Sequence, residues 1–179
     1  MRRDSVKRAK TYHTVSLAVL LTFALVIHSV EASIPLPMPV PGVKLGLANI
    51  ITLVVLLLFG FKSALLISVL RTVLGSFFVG NFFSFGFMLS FTAAVISTTV
   101  MILVLPLFYR GFFSLISISI LGAVTHNIVQ LTVASVLVQN LMLLRGYLPL
   151  SLFMAIPTGF FTGLAAHFIV RAMSKVMKF

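Results

Sequence analysis

Six apolar runs, at 14–30, 45–60, 63–79, 82–107, 112–139 and 148–170, alternate with short segments rich in Pro, Gly, Asn or charge. A bilayer core near 30 Å takes roughly 20 apolar residues per helix, and each span must satisfy its own backbone hydrogen bonds. The pattern predicts an all-α, polytopic membrane protein, a bundle of six transmembrane helices. The separators 33–44, 61–62, 80–81, 108–111 and 140–147 carry the residue types that end helices. The second and third runs are short for full spans, which points to helices tucked inside the bundle or locally irregular. As domains, 1–13 is a basic cytoplasmic tail, 14–173 a single six-helix transmembrane domain and 174–179 a second basic cytoplasmic tail.

Composition supports the class: 60% of residues are hydrophobic, 8% are charged and the mean hydropathy is +1.23. Soluble domains carry about a quarter charged residues. Placing the amino terminus in the cytoplasm puts Arg2, Arg3, Lys7, Arg8, Lys10, Lys62, Arg110, Arg171, Lys175 and Lys178 inside. Only Lys44 and Arg145 are then outside, with Arg71 left within the membrane, a strong positive-inside signal. Tyr12 and Tyr109 fall at the inner boundary and Tyr147 at the outer one, as an aromatic belt would have them. The expectation is a multi-pass protein of the cell membrane with both termini cytoplasmic. A basic amino-terminal region, an apolar stretch and Val30-Glu31-Ala32 would also suit a cleaved signal sequence, which would leave five spans.

The net charge of +11 sits in short flanks beside apolar helices. Anionic membrane lipids account for it, and nucleic acid is not an expected partner. With no Cys, disulfides, thiolate metal sites and thiol nucleophiles are excluded together. The four histidines lie on separate elements without a close pair, so neither a metal nor another cofactor is expected.

Charges at membrane depth are costly and usually functional. The chain has two carboxylates, Asp4 in the tail and Glu31 at the outer end of the first helix. A stretch with Pro at alternate positions follows Glu31, which reads either as a stiff linker or as a cover over a cavity. Lys44 then opens the second helix, followed by Asn49. A cation beside a helix N-terminus suits a carboxylate or phosphate, and interfacial snorkelling is the alternative. Arg71 lies about eight residues into the third run, roughly 12 Å deep. It faces the interior, either paired with Glu31 or open to an anionic ligand. His126 and Gln130, four apart with Asn127 beside them, form a hydrogen-bonding wall or interhelical polar contacts. Ser151, Ala155, Gly159 and Gly163 make a small-residue ridge that lets another helix of the bundle, or another protein, approach closely. The phenylalanines around Gly80-Asn81 read as lipid-facing bulk or as a stacking surface.

Glu31 with the Pro-rich stretch, Val40-Pro41-Gly42-Val43-Lys44-Leu45-Gly46-Leu47-Ala48-Asn49, Arg71, and Leu121-Gly122-Ala123-Val124-Thr125-His126-Asn127-Ile128-Val129-Gln130 resemble the Gx transporter family. That family is also labelled heptaprenyl diphosphate synthase component I. The resemblance covers nearly the whole chain and implies a bundle similar to the S components of energy-coupling-factor transporters. Those bind vitamins or related molecules from outside and work with a transmembrane scaffold and two ATPases. Glu31, Lys44, Asn49, Arg71, His126, Asn127 and Gln130 would then bind the ligand. The first helix departs from the S-component pattern, offering Ala18-x-x-x-Thr22 where Ala-x-x-x-Ala contacts the scaffold.

The family label implies an opposing role, a non-catalytic membrane component beside a soluble polyprenyl synthase subunit. Prenyl elongation needs carboxylate clusters that hold magnesium on diphosphate, and two acids cannot build one. No nucleophile elbow and no nucleotide-binding loop occur either. The expectation is no enzyme of its own, but an importer's substrate-binding component for a small, polar-headed or anionic ligand.

Overall fold

In the computed structural model the described residues are 2–33, 46–47 and 49–176. The Pro-rich stretch with Lys44, the side chains of Arg2, Arg3, Asp4, Lys7 and Arg8, and Lys178 lie outside them. Five helices follow one another: α1 (Arg2–Ser33), α2 (Asn49–Phe78), α3 (Phe85–Tyr109), α4 (Leu115–Leu137) and α5 (Leu141–Val176). Each is long and apolar enough to cross a membrane, and no strand occurs among the described residues.

Six separate helices were expected; among the described residues there are five, of which α2 joins two helical arms across a kink. The second and third apolar runs share α2, and Phe61-Lys62 does not interrupt it. The departure from helical geometry is one residue earlier, at Gly60, with φ 80° and ψ −179°. Only glycine enters that region readily, because a Cβ would clash there. The Arg71 guanidinium (Nη2) donates to Asn49 Oδ1 at 3.3 Å. In a straight helix those residues, 22 positions apart, would be separated by about 33 Å. α2 therefore doubles back at Gly60, laying 49–59 along 61–78. Within 49–56 every residue except Ile50 is buried. Such a segment is apolar nearly all round because other helices surround it.

The final helix also starts elsewhere than expected. The segment 140–147 is no separator, since Asn140 Oδ1 accepts from Met142 N–H at 3.0 Å and caps α5 directly. Ser84 and Ser114 cap α3 and α4 in the same way. α5 then continues through Pro149 and Pro157.

His13 of α1 meets Phe59 edge-on at 5.3 Å, and Val15 of α1 and Met173 of α5 line one crevice. The start of α1 and the end of α5 therefore lie at the Gly60 end of the bundle. The core there is aliphatic, with Leu53, Val54, Leu56, Ile67, Met101 and Ile118 almost fully buried. Toward the opposite end, which carries Glu31, the buried His28, Asn49, Arg71 and His126 gather.

α4 and α5 form the most extensive contact, and the small-residue ridge makes it. A Cβ on Gly159 would come within 2.6 Å of Ile120 Cα, and one on Gly163 within 2.9 Å of Ile116 Cα. Ser119 and Thr162 hydroxyls bond across this seam at 2.7 Å. Ser151, Ala155, Gly159 and Gly163 are all buried. By contrast α1 has α2 as its one close helix neighbour among the described residues. Its described buried positions are Leu20, Ala24, His28 and Glu31, one stripe at helical spacing, and Val15, Val19, Phe23, Val26 and Val30 face outward. Ala18 and Thr22 are exposed, with the Thr22 hydroxyl bonded to Ala18 C=O.

Candidate functional site

At the Glu31 end, His28, Glu31, Gly46, Arg71, Thr72, Ser90 and His126 surround one cavity. It has about 10 Å3 of room for water centres, enough for about one water molecule. Four helices, α1 to α4, line it together with Gly46, whose φ of 82° turns the chain into α2. A Cβ there would be 3.3 Å from Asn49 Nδ2 and 3.5 Å from the His126 ring. Glycine lets the backbone, the amide and the imidazole meet.

The Glu31 carboxylate accepts from the Gly46 N–H and, at 3.2 Å, from the Leu47 N–H. These amides form the anion-favouring entry of α2. The protein's own carboxylate thus occupies the seat that sequence reasoning assigns to a ligand. Lys44, the cation expected at that helix start, lies outside the described residues.

Arg71 is 2% exposed. Glu31 attracts it across the cavity, yet no ion pair joins them among the described residues. Its hydrogen bond goes to Asn49, a neutral amide, and its Nε is buried without a partner, as are Asn49 Nδ2 and Ser90 Oγ. The simple Glu31–Arg71 bridge is therefore replaced by two separately held charges. The site keeps donors in excess.

Of the proposed wall, His126 reaches the cavity, while Asn127 Nδ2 donates to Ser151 C=O of α5 at 3.0 Å. Gln130 is fully buried in α4 and is not part of the cavity lining. The structure thus unites Glu31, Asn49, Arg71 and His126, and uses Asn127 to tie α4 to α5.

His28 is the site residue that sequence reasoning misses. It lies three positions before Glu31 on the same helix face, and its ring rests on Gly75, where a Cβ would come within 2.5 Å. That three-residue spacing from the only intramembrane carboxylate was the available signal. His28 and His126 come from different helices to one cavity, yet no three metal-ligating side chains cluster among the described residues.

Below the cavity, Thr98 donates to the Ser68 hydroxyl at 3.0 Å, Ser68 to Ala94 C=O at 3.1 Å, and Thr72 to Ser68 C=O at 3.0 Å. This hydroxyl column gives way to Leu56, Ile67 and Met101. Above it, Phe77 and Phe82 stack at 3.9 Å and Phe82 meets Phe87 at 5.2 Å. Phe77, Phe78 and Phe83 are largely exposed.

No curated protein and no solved structure matches the chain. Residues 20–169 match the family described as heptaprenyl diphosphate synthase component I. That span holds Glu31, Asn49, Arg71 and His126 and nearly all of the membrane-crossing segments. The chain belongs to the heptaprenyl diphosphate synthase component I family.

Proposed function

We propose that this protein is the substrate-binding component of a membrane importer, similar to the S components of energy-coupling-factor transporters. It captures a small ligand through an anionic or acceptor-rich head. The observation that carries this reading is the buried Arg71 guanidinium, hydrogen-bonded to a neutral amide, with an unpartnered Nε beside an unpartnered Asn49 Nδ2. Buried donors left unmatched are costly, and a ligand bringing acceptors would recover that cost. In this reading the doubled α2 contributes two crossings, so the chain crosses six times with both termini cytoplasmic. Glu31, Lys44, Asn49, Arg71 and His126 surround the ligand, with Asn127 and Gln130 supporting His126 from α4. A transmembrane scaffold and two ATPases would supply energy.

A second reading is supported by the family description itself: a non-catalytic membrane subunit that assembles with a soluble polyprenyl synthase. One experiment separates them. Tagged protein is drawn gently from native membranes, and its co-purifying proteins and small molecules are identified by mass spectrometry. A scaffold with ATPases, or a water-soluble cofactor, supports the importer. A soluble prenyl synthase with isoprenoid diphosphate replaces it with the accessory role.

A further inference from the structure

A cavity with room for about one water molecule does not admit a vitamin-sized ligand, so one wall must move if the site is to be filled. The walls are unequally held. α3, α4 and the two arms of α2 are packed on one another, and α4 is clamped to α5 by the glycine seam. Among the described helices α1 runs closely against α2 alone, and it buries one narrow stripe. On its other flank an apolar crevice of about 490 Å3, lined by Val19, Phe23 and Ile27 of α1 with Ile169 and Met173 of α5, separates it from α5. At the cavity end the holding contacts of α1 include the Glu31 carboxylate on the Gly46 and Leu47 amides and the His28 ring in the recess over Gly75.

We infer that α1 is the moving wall of the site. Its Glu31 end parts from α2, and the Glu31 bond to the α2 entry amides is the latch. Parting removes His28 and Glu31 together, which opens the cavity beside Arg71 and Asn49 while the rest of the bundle keeps its packing. Glu31 then has a second role besides any contact with ligand, because it fills the amide seat while the wall is shut. The inference rests on the ligand-binding reading for its purpose, but it is tested without a ligand.

The chain has no Cys, so paired labels need no background removal. Spin labels at Ser33→Cys and Phe78→Cys, both exposed positions, report the α1–α2 separation in lipid nanodiscs by pulsed dipolar spectroscopy. Phe78→Cys with Leu141→Cys serves as the control pair between α2 and α5. The expected result is a second, longer distance for the Ser33 pair alone, whose share rises at least twofold when Glu31→Gln is added. A single narrow Ser33 distance in the otherwise native protein, matching the control pair, overturns the inference. So does a Glu31→Gln variant with a native control distance and an unchanged Ser33 distribution. Either result leaves the recovery of a bound small molecule as the separate judge of the ligand-binding reading.

Discussion

An arginine whose guanidinium is committed to one neutral amide has donors to spare, and in an apolar bundle each spare donor is a cost. Ligand retention should therefore depend on Arg71. Arg71→Ala is expected to lower the amount of small molecule co-purifying with the protein about tenfold or more, the loss of a charge-assisted hydrogen bond of about 2 kcal/mol. Lys62→Ala, exposed at the Gly60 end, is the control. Equal retention in two folded variants would remove Arg71 from the site. Gly75→Ala tests His28 by volume alone: with 2.5 Å available to a Cβ, the imidazole must leave its recess. The variant should lose about 1–3 kcal/mol of stability, read as a lower Tm, and an unchanged Tm would show that the ring moves freely. Arg71 and Glu31 were legible in the sequence because charges are scarce in apolar runs. His28 was not, because a single imidazole in an apolar helix has the same sequence appearance whether it packs or faces a site.

Helices differ in how openly their junctions are written. The breaks before α3 and α4 were readable from Gly80-Asn81 and from Arg110-Gly111, since such residues make turns wherever they fall, while the caps Ser84 and Ser114 set the starts three residues later than the apolar runs suggest. The turn of α2 was read one residue late, at Phe61-Lys62, because a glycine at the end of an apolar run is also compatible with a continuing helix. What singles out Gly60 is its positive φ, which no pattern of polarity reports. Gly60→Ala should cost about 1–3 kcal/mol through backbone strain, although nothing lies within 4 Å of a Cβ there. Gly146→Ala, also in open space but helical, should leave the Tm unchanged or raise it slightly. Matching effects of the two would show that space, not conformation, governs Gly60. The α4–α5 seam gives the opposite case: Gly159→Leu drives atoms into the Ile120 backbone, and a drop in Tm or loss of folded protein is expected. An unaltered Tm would mean the seam can open.

Taken whole, the molecule separates its polar chemistry from its basic flank. Lys10, Lys62, Arg110, Arg171 and Lys175 lie at the Gly60 end, and the Glu31 cavity lies at the other. The positive-inside asymmetry then predicts that the cavity end faces outward. Single cysteines at Asn81 and at Gly111 test this in intact cells, with labelling by a membrane-impermeant maleimide expected only at Asn81. Labelling at Gly111 alone would invert the orientation. The class and the two-ended distribution of charge were legible from hydropathy and Lys/Arg placement. The convergence of Glu31, Asn49, Arg71 and His126 was not, because it depends on a doubled helix that brings residues far apart in the chain to one depth.

The hydroxyl column under the cavity ends on Leu56, Ile67 and Met101, each about 1% exposed. Among the described residues the route continues toward the basic end through an aliphatic cluster, and an ion meeting such a layer faces a large dehydration barrier. The bundle in this conformation is consequently a plug rather than a pore. A cell can carry many copies without short-circuiting its membrane potential, and in the proposed importer a ligand held at Arg71 would cross only when something displaces that hydrocarbon seal.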